Sequence, residues 1–226
     1  MPGLLRVLAF EGADTTALII ACETGRSFGP QFAETVVEHT GLPLENIVMT
    51  STHTHAAPEI TEDVVLDFDE NDPEVTNQQK WSKYAMEQML HAVDEALANL
   101  QPATVGIGYS ESYINVNRNS VYNRIAEDGT VTEERNLGWS QDGATDRTVA
   151  AIRFNAEDGS PIAFLINYAV HGTVMNANTC IDGKTGISSD IPGIVSTYLE
   201  ENNEGAVAMW LSGLHGFGGL RCSPPI

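Results

Sequence analysis

Basic residues are scarce in this sequence. Its 226 residues include 11 Lys and Arg against 31 Asp and Glu, which gives a formal net charge of -20 at pH 7. Proteins that bind nucleic acid neutralise phosphates with clustered Lys and Arg, and anionic membrane surfaces attract the same residue types. The charge balance therefore argues against nucleic acid and anionic membranes as partners.

Long apolar runs and paired cysteines are also missing. No uninterrupted apolar run approaches the roughly 20 residues that span a bilayer, and the N-terminal segment MPGLLRVLAFEG lacks the charged and apolar regions of a secretory signal. The three cysteines, Cys22, Cys180 and Cys222, are far apart and odd in number, which favours free thiols over a disulfide framework. None forms a CxxC pair, so a zinc site built on cysteines is not expected.

What the sequence does contain is an alternation of short strand patterns and helical patterns. Apolar and β-branched runs predict strands at 4–10, 16–22, 46–51, 103–112, 148–154, 161–170 and 206–212. Helical spacing predicts helices at 29–41, 76–100 and 189–202, and Asp-Gly pairs predict hairpin turns at 128–129 and 158–159. With no repeat and no clear linker, the pattern indicates one α/β or α+β domain with a mixed sheet flanked by helices.

The segment from Glu59 to Val75 is strongly acidic and is expected to be a solvated surface loop without a function of its own. It has no continuous apolar face that would dock onto a membrane.

Two histidines stand two residues apart in the stretch TSTHTHAAPE, residues 50–59. In an extended segment such residues point to the same face, about 7 Å apart, which would turn His53 and His55 into one pocket. The alternative is a polar loop whose two imidazoles are hydrogen-bonded to neighbouring hydroxyl groups.

A third histidine, His171, follows the apolar run at 161–170 and precedes Gly172. The ends of strands are where α/β proteins commonly place reactive side chains. Zinc binds neutral imidazole nitrogens, and a catalytic zinc has three protein ligands with one position left open. His53 and His171 are therefore two candidate ligands, and a third donor is expected from elsewhere.

Three blocks of the sequence resemble those of the neutral/alkaline non-lysosomal ceramidases. MTSTHTHAAPE (49–59) resembles their SATHTHSGP block, AAIRFNAEDGSPIAFLINYAVHGTVMNANT (150–179) resembles the hairpin that leads into their second histidine block, and GISSDIPGIVSTYLEE (186–201) resembles their SGDFPGYAS helix start. The order and spacing of the blocks agree with the family, and the similarity extends from about Leu4 to about Gly216.

The resemblance implies a zinc amidase that cleaves the N-acyl bond of ceramide into a fatty acid and a sphingoid base. It assigns His53 and His171 to zinc and His55 to a catalytic role beside the substrate. The family's NR motif maps to Asn117 and Arg118, and Arg118 is predicted to contribute to catalysis. An ion pair with surface acids is the alternative role for Arg118. Asp190 is expected to be a helix N-cap and not a catalytic acid.

The sequence departs from the family pattern in its last segment. The family completes its zinc site with a glutamate and a tyrosine that come later in the chain, and Phe217 stands where the family has an aspartate. We expect residues 1–226 to form a single partial ceramidase-like domain, with 214–226 an aberrant tail and His215 a poor candidate ligand. Two functions are compatible with these observations: a zinc-dependent amide hydrolase, or an inactive fragment or non-enzymatic metal- or ligand-binding module of the same fold. The natural substrate, the oligomeric state and the localisation are left open, the family being often exported.

Overall fold

The computed structural model describes residues 5–26, 28–61, 64, 65, 67–69, 71–140, 142–175, 183 and 186–213, together with the backbone of 218–220. The strands in these ranges are β1 (Leu5–Glu11), β2 (Thr16–Cys22), β3 (Ile47–Ser51), β4 (Thr104–Glu111), β5 (Asn115–Ile125), β6 (Val131–Ser140), β7 (Thr148–Asn155), β8 (Pro161–Tyr168), β9 (Val207–Ser212) and β10 (Gly218–Leu220). The α-helices are α1 (Pro30–Thr40), α2 (Asn77–Ala98) and α3 (Asp190–Glu201).

Two of the three sheets in the described part of the chain stack with the helices in four layers, and the third sheet, ordered β10-β5-β6, is antiparallel. In the first sheet, ordered β1-β2-β3, β1 pairs antiparallel and β3 parallel with β2; in the second, ordered β4-β7-β8-β9, only the β8-β9 pair is parallel. Helices α1 and α2 cover the outer face of the first sheet, and α3 covers the outer face of the second. This arrangement confirms the predicted α+β fold with mixed sheets and flanking helices.

Alternation along the strands explains why both sheets are buried. In β8, Leu165 faces the first sheet and packs with Leu8 of β1 and with Met209 of the neighbouring β9. Ile166 faces α3 and packs with Val195. Successive side chains of a strand point to opposite faces, so a strand covered on both sides must be apolar throughout. This is why β2 and β8 read as continuous apolar runs.

The helices begin and end where their sequences predict. Pro30 is the first residue of α1, and Gly41 ends it with φ +72°, a conformation that glycine adopts without strain. Thr76 caps α2 in a capping box with Gln79. The N-cap of α3 is Ser189 and not Asp190, so the prediction that Asp190 caps this helix is wrong by one residue.

The carboxyl ends of four strands meet at one place, because β2 and β3 run parallel, as do β8 and β9. After β3, the amide of Thr52 donates to the carbonyl of Cys22 at the end of β2, at 3.0 Å. The hydroxyl of Ser212 at the end of β9 donates to the carbonyl of Thr52 at 3.2 Å, which joins the two sheets. The segments that carry the three candidate histidines leave from this junction.

The sequence pattern did not predict strands β5 and β6. Residues 115–125 and 131–140 form the long β5-β6 hairpin, whose polar and mostly exposed side chains give little apolar signal apart from the turn that was predicted at Asp128 and Gly129. The backbone of Gly218–Leu220 pairs with β5, while the other residues of the expected tail lie outside the described residues. None of the helices in the described part of the chain is long and apolar enough to cross a membrane.

Candidate functional site

Three imidazole rings converge beside the strand junction. His53 and His55 lie on the segment that follows β3, and His171 lies three residues beyond the end of β8. The Nε2 atoms of His171 and His55 are 2.8 Å apart, and those of His55 and His53 are 3.4 Å apart. One ligand atom from each of the three rings lies within 4.8 Å of the others. The structure therefore brings together all three histidines that the sequence singled out.

His53 and His55 share this site for a different reason from the one that the sequence suggested. The segment is not extended, because His53 has φ +57°, in the left-handed region that non-glycine residues rarely adopt. The rings of His53 and His55 stand edge to face with their centroids 5.0 Å apart. A strained backbone at a site of converging side chains is typical of functional positions.

A backbone carbonyl orients the ring of His53. Its Nδ1 lies 2.5 Å from the carbonyl oxygen of Gly25, on the loop that follows β2. A carbonyl can only accept, so Nδ1 carries a proton, and in the neutral ring Nε2 is the acceptor nitrogen, 3.4 Å from Nε2 of His55. Histidines that bind metals in proteins are commonly oriented by such a hydrogen bond from their other ring nitrogen. The sequence contained no signal for it, because any residue at position 25 supplies a carbonyl.

Backbone hydrogen bonds hold the two histidine segments against each other. The amide of His55 donates to the carbonyl of Gly172 at 3.1 Å. The hydroxyl of Thr54 donates to the carbonyl of Ser188 at 2.8 Å, and the amide of Ser188 donates to the carbonyl of Ala56 at 2.8 Å. The segment before α3 thus forms the third side of the cluster.

The spacing of the ring nitrogens fits a small metal ion. With Zn–N bonds of about 2.0–2.1 Å in a tetrahedral site, two nitrogen ligands stand about 3.3 Å apart. Nε2 of His55 is 3.4 Å from Nε2 of His53, close to this value, and 2.8 Å from Nε2 of His171, which is shorter. His171 is buried, His53 is half-buried and His55 is exposed. The cluster is therefore closed on the His171 side and open to solvent on the His55 side, where a substrate can approach.

Arg118, the fourth predicted site residue, is half-buried on β5. The start of β5 is fastened near the cluster, because the side chain of Asn115 donates to the carbonyl of Ala169 at 2.8 Å, two residues before His171. Asn117, the other residue of the NR motif, uses its side chain to bind the carbonyl of Ala144 at 2.7 Å. Asn117 is thus accounted for by local structure, and a catalytic role of Arg118 stays a prediction.

Cys22 lies at the end of β2, one residue before the loop that reaches His53, but it does not behave as a ligand. Burial raises the pKa of its thiol to about 12, and a hydrogen bond with Thr24 opposes this shift only in part. At neutral pH the thiol is therefore protonated, and neither a nucleophile nor a metal ligand.

A buried ion network holds the start of the loop that follows β2. Arg6 on β1 binds Glu23, and its Nε and Nη2 bind the two carboxylate oxygens of Glu200 on α3 at 2.7 and 2.9 Å. Burial acts to lower the pKa of Arg6, but the hydrogen bonds and negative charges of Glu200 and Glu23 outweigh it and raise the pKa. The network ties the β2 end of the junction to the helix that covers the second sheet.

Other residues and segments considered for the site are exposed, form a loop or lie outside the described residues. Met175 is 37% exposed on the segment after His171. In the described part of the acidic 59–75 segment there is no helix or strand, as predicted, but Ile60 and Val64 are buried in the core, so the segment is not solvated throughout. His215, Asn176 and Asn178 lie outside the described residues.

The family model described as "Neutral/alkaline non-lysosomal ceramidase, N-terminal" matches residues 40–213, well over half of the chain. The match includes all three clustered histidines and Arg118. No curated protein matches the chain.

Solved structures share the fold. The neutral ceramidase from Pseudomonas aeruginosa superposes with a TM-score of 0.68 at 20% identity, over 98% of this chain and 34% of that one. A structure described as a ceramidase complexed with C2 superposes with a TM-score of 0.67 at 20% identity, over 96% of this chain and 33% of that one. The chain thus spans about a third of the length of these structures.

Proposed function

The chain belongs to the neutral/alkaline non-lysosomal ceramidase family, and from this membership we propose that it carries the histidine part of a zinc-dependent amidase site. The proposed reaction is hydrolysis of the N-acyl bond of ceramide, or of a related N-acyl lipid, to a fatty acid and a sphingoid base. His53 and His171 would hold the zinc, and His55 would transfer the proton.

The observation that carries this proposal is the convergence of three ring nitrogens within 4.8 Å at the strand junction. The hydrogen bond from His53 Nδ1 to the carbonyl of Gly25 supports it, because that bond leaves Nε2 as the ligand atom. The division of roles follows burial: His171 is buried and His53 half-buried, whereas His55 is exposed where substrate would enter.

Zinc held at this site would polarise the amide carbonyl and lower the pKa of a water molecule to about 7. His55 has its Nε2 at the centre of the cluster, so it can accept a proton from the attacking water and return it to the amide nitrogen. The oxygen of water forms the new bond to the carbonyl carbon, the C–N bond breaks, and the products are a carboxylic acid and an amine.

Arg118 would act on the substrate side of the same site. Its strand is fastened two residues before His171 through Asn115, and a guanidinium placed nearby would stabilise the negative charge that develops on the carbonyl oxygen. We expect Arg118→Gln to lower kcat without lowering zinc affinity.

The test is metal content and amidase activity of the purified chain after dialysis against a mild chelator. We expect close to one zinc per chain in the wild type, and its loss in His53→Ala and His171→Ala. The matched control is His91→Ala on α2, where the ring of His91 is exposed and 3.6 Å from Glu95, and which should keep its zinc.

Activity toward N-acyl sphingosines with short acyl chains would then separate the roles within the cluster. His55→Ala is expected to keep zinc and lose turnover if His55 transfers the proton. Loss of zinc in His55→Ala would instead make His55 the third ligand. Protein that binds no zinc, or zinc binding that is insensitive to all three substitutions, would contradict the proposed metal site.

A further inference from the structure

Asp190, the first residue of α3, has an unusual environment for an acidic residue. Its side chain is fully buried, at 0% exposure, and its backbone has φ +54°, in the left-handed region. Burying a carboxylate and placing a residue other than glycine in this region both cost free energy. Such features persist where surrounding contacts hold them in place, and they cluster at functional sites.

The carboxylate of Asp190 bridges two separate segments. Its Oδ1 accepts from the amide of Ile191 at 2.7 Å, and its Oδ2 accepts from the amide of Met175 at 2.9 Å. Its own amide donates to the hydroxyl of Ser188 at 3.1 Å. Starting α3 does not require the bond to Met175, because Met175 lies outside this helix. The bond to Met175 instead fastens the segment that carries His171.

That segment is packed between Asp190 and the other two histidines. A Cβ atom added at Gly172 would lie 3.6 Å from the Cβ of Asp190, 3.5 Å from the Cα of Thr54 and 3.6 Å from the carbonyl oxygen of His53. The carbonyl of Gly172 accepts from the amide of His55 at 3.1 Å. A shift of the segment would therefore move the ring of His171 and the backbone of His55 together.

We propose that Asp190 is a positioning residue for the histidine cluster. Its buried carboxylate fixes residues 171–175 through the amide of Met175, and through the carbonyl of Gly172 it also fixes His55. This effect on the arrangement of the three rings does not depend on a bound metal. Its consequence for catalysis rests on the proposed function.

The first test variant is Asp190→Asn. Asparagine tolerates the left-handed backbone but replaces one carboxylate oxygen with an NH2 group that only donates, so it cannot keep both the Oδ1 bond to Ile191 and the Oδ2 bond to Met175. In zinc-free protein we expect the imidazole ¹⁵N and ¹H resonances of His171 and His55 to shift and broaden. The zinc Kd should rise by about 10-fold or more, the range found when partners that orient ligands are removed.

A matched control is Asp158→Asn in the turn between β7 and β8. There, too, an aspartate oxygen accepts from a backbone amide, that of Ser160, at 2.9 Å, but far from α3 in the chain and outside the cluster. This variant should leave the imidazole resonances of His171 and His55 and the zinc Kd unchanged.

A second variant, Met175→Pro, removes the N–H donor and leaves the carboxylate in place. It should shift the same imidazole resonances as Asp190→Asn. Unchanged resonances in folded Asp190→Asn protein, or in Met175→Pro protein if the asparagine variant does not fold, would overturn the proposal. A wild type that binds no zinc would overturn the proposed metal function alone, because the imidazole comparison is made without metal.

Discussion

The carbonyl oxygen of Gly25 lies 2.5 Å from Nδ1 of His53, across 28 positions of the chain. This contact fixes the tautomer of His53, because only a protonated Nδ1 can donate to a carbonyl. It also links the loop after β2 to the loop after β3, which leave neighbouring parallel strands. The ring nitrogen of His53 that faces His55 is therefore set by the backbone of another segment.

Substitution of Gly25 tests this link. A Cβ at Gly25 would lie 3.1 Å from the carbonyl oxygen of Thr54, which is tighter than an ordinary contact. We expect Gly25→Ala to displace the carbonyl from His53 and to weaken zinc binding by about 10-fold or more, as measured by competition with a chromophoric chelator. Gly106→Ala on β4, where an added Cβ meets nothing within 4 Å, is the control. Equal zinc affinity in the two variants would show that the Gly25 carbonyl is not needed.

Zinc should also stabilise the folded chain. A ligand that binds only the native state at 100 times its Kd raises the free energy of unfolding by about 2.7 kcal/mol. We expect thermal unfolding followed by circular dichroism to shift to higher temperature on addition of zinc and to return on addition of chelator. His171→Ala should abolish the shift, while His39→Ala, which removes an imidazole that pairs with Asp94 away from the cluster, should keep it. A shift of equal size in both variants would indicate binding elsewhere.

The Arg6 network is expected to contribute strongly to stability. Arg6 is 7% exposed and shared by two carboxylates, so Arg6→Met removes the guanidinium from Glu23, whose side chain is 3% exposed. Breaking a buried ion pair on one side costs about 3–5 kcal/mol, which urea denaturation would measure. Arg124→Met, which breaks an exposed pair with Glu134 on the β5-β6 hairpin, should change the denaturation midpoint little. Similar midpoints for the two variants would mean that the attraction within the Arg6 ion pairs only offsets the free-energy cost of burying their charges.

Cys22 predicts a loss of stability at alkaline pH. Its pKa is raised from an ordinary value of 9.0 to about 12 by burial, so the unfolded chain releases the thiol proton first. The stability that the buried, protonated thiol contributes is fully present below pH 9. It is lost between pH 9 and 12, at about 1.4 kcal/mol of unfolding free energy per pH unit. The difference in unfolding free energy between wild type and Cys22→Ala should narrow steadily across this window. A constant difference would contradict the burial of the thiol.

Much of the fold followed from local pattern. The apolar runs of β2 and β8 and the Asp-Gly turns are signals that act over a few residues, and the structure confirms each of them. The β5-β6 hairpin was missed because its exposed strands lack the apolar alternation on which such predictions depend. The N-cap of α3 is Ser189 and not Asp190, whose carboxylate accepts from the amides of Ile191 and Met175.

Residue type and spacing were enough to identify His53, His55 and His171 as candidates, because imidazoles at strand ends are few and chemically distinctive. Their mutual distances, the carbonyl of Gly25 and the bridge made by Asp190 were decided only by the tertiary structure. The contact between Gly25 and His53 joins residues 28 positions apart, that between Met175 and Asp190 15 positions, and that between His55 and His171 116 positions. Two of them involve backbone groups, a carbonyl that every residue carries and an N–H that every residue except proline carries. Such groups acquire a role only when packing of the two sheets brings the strand ends together.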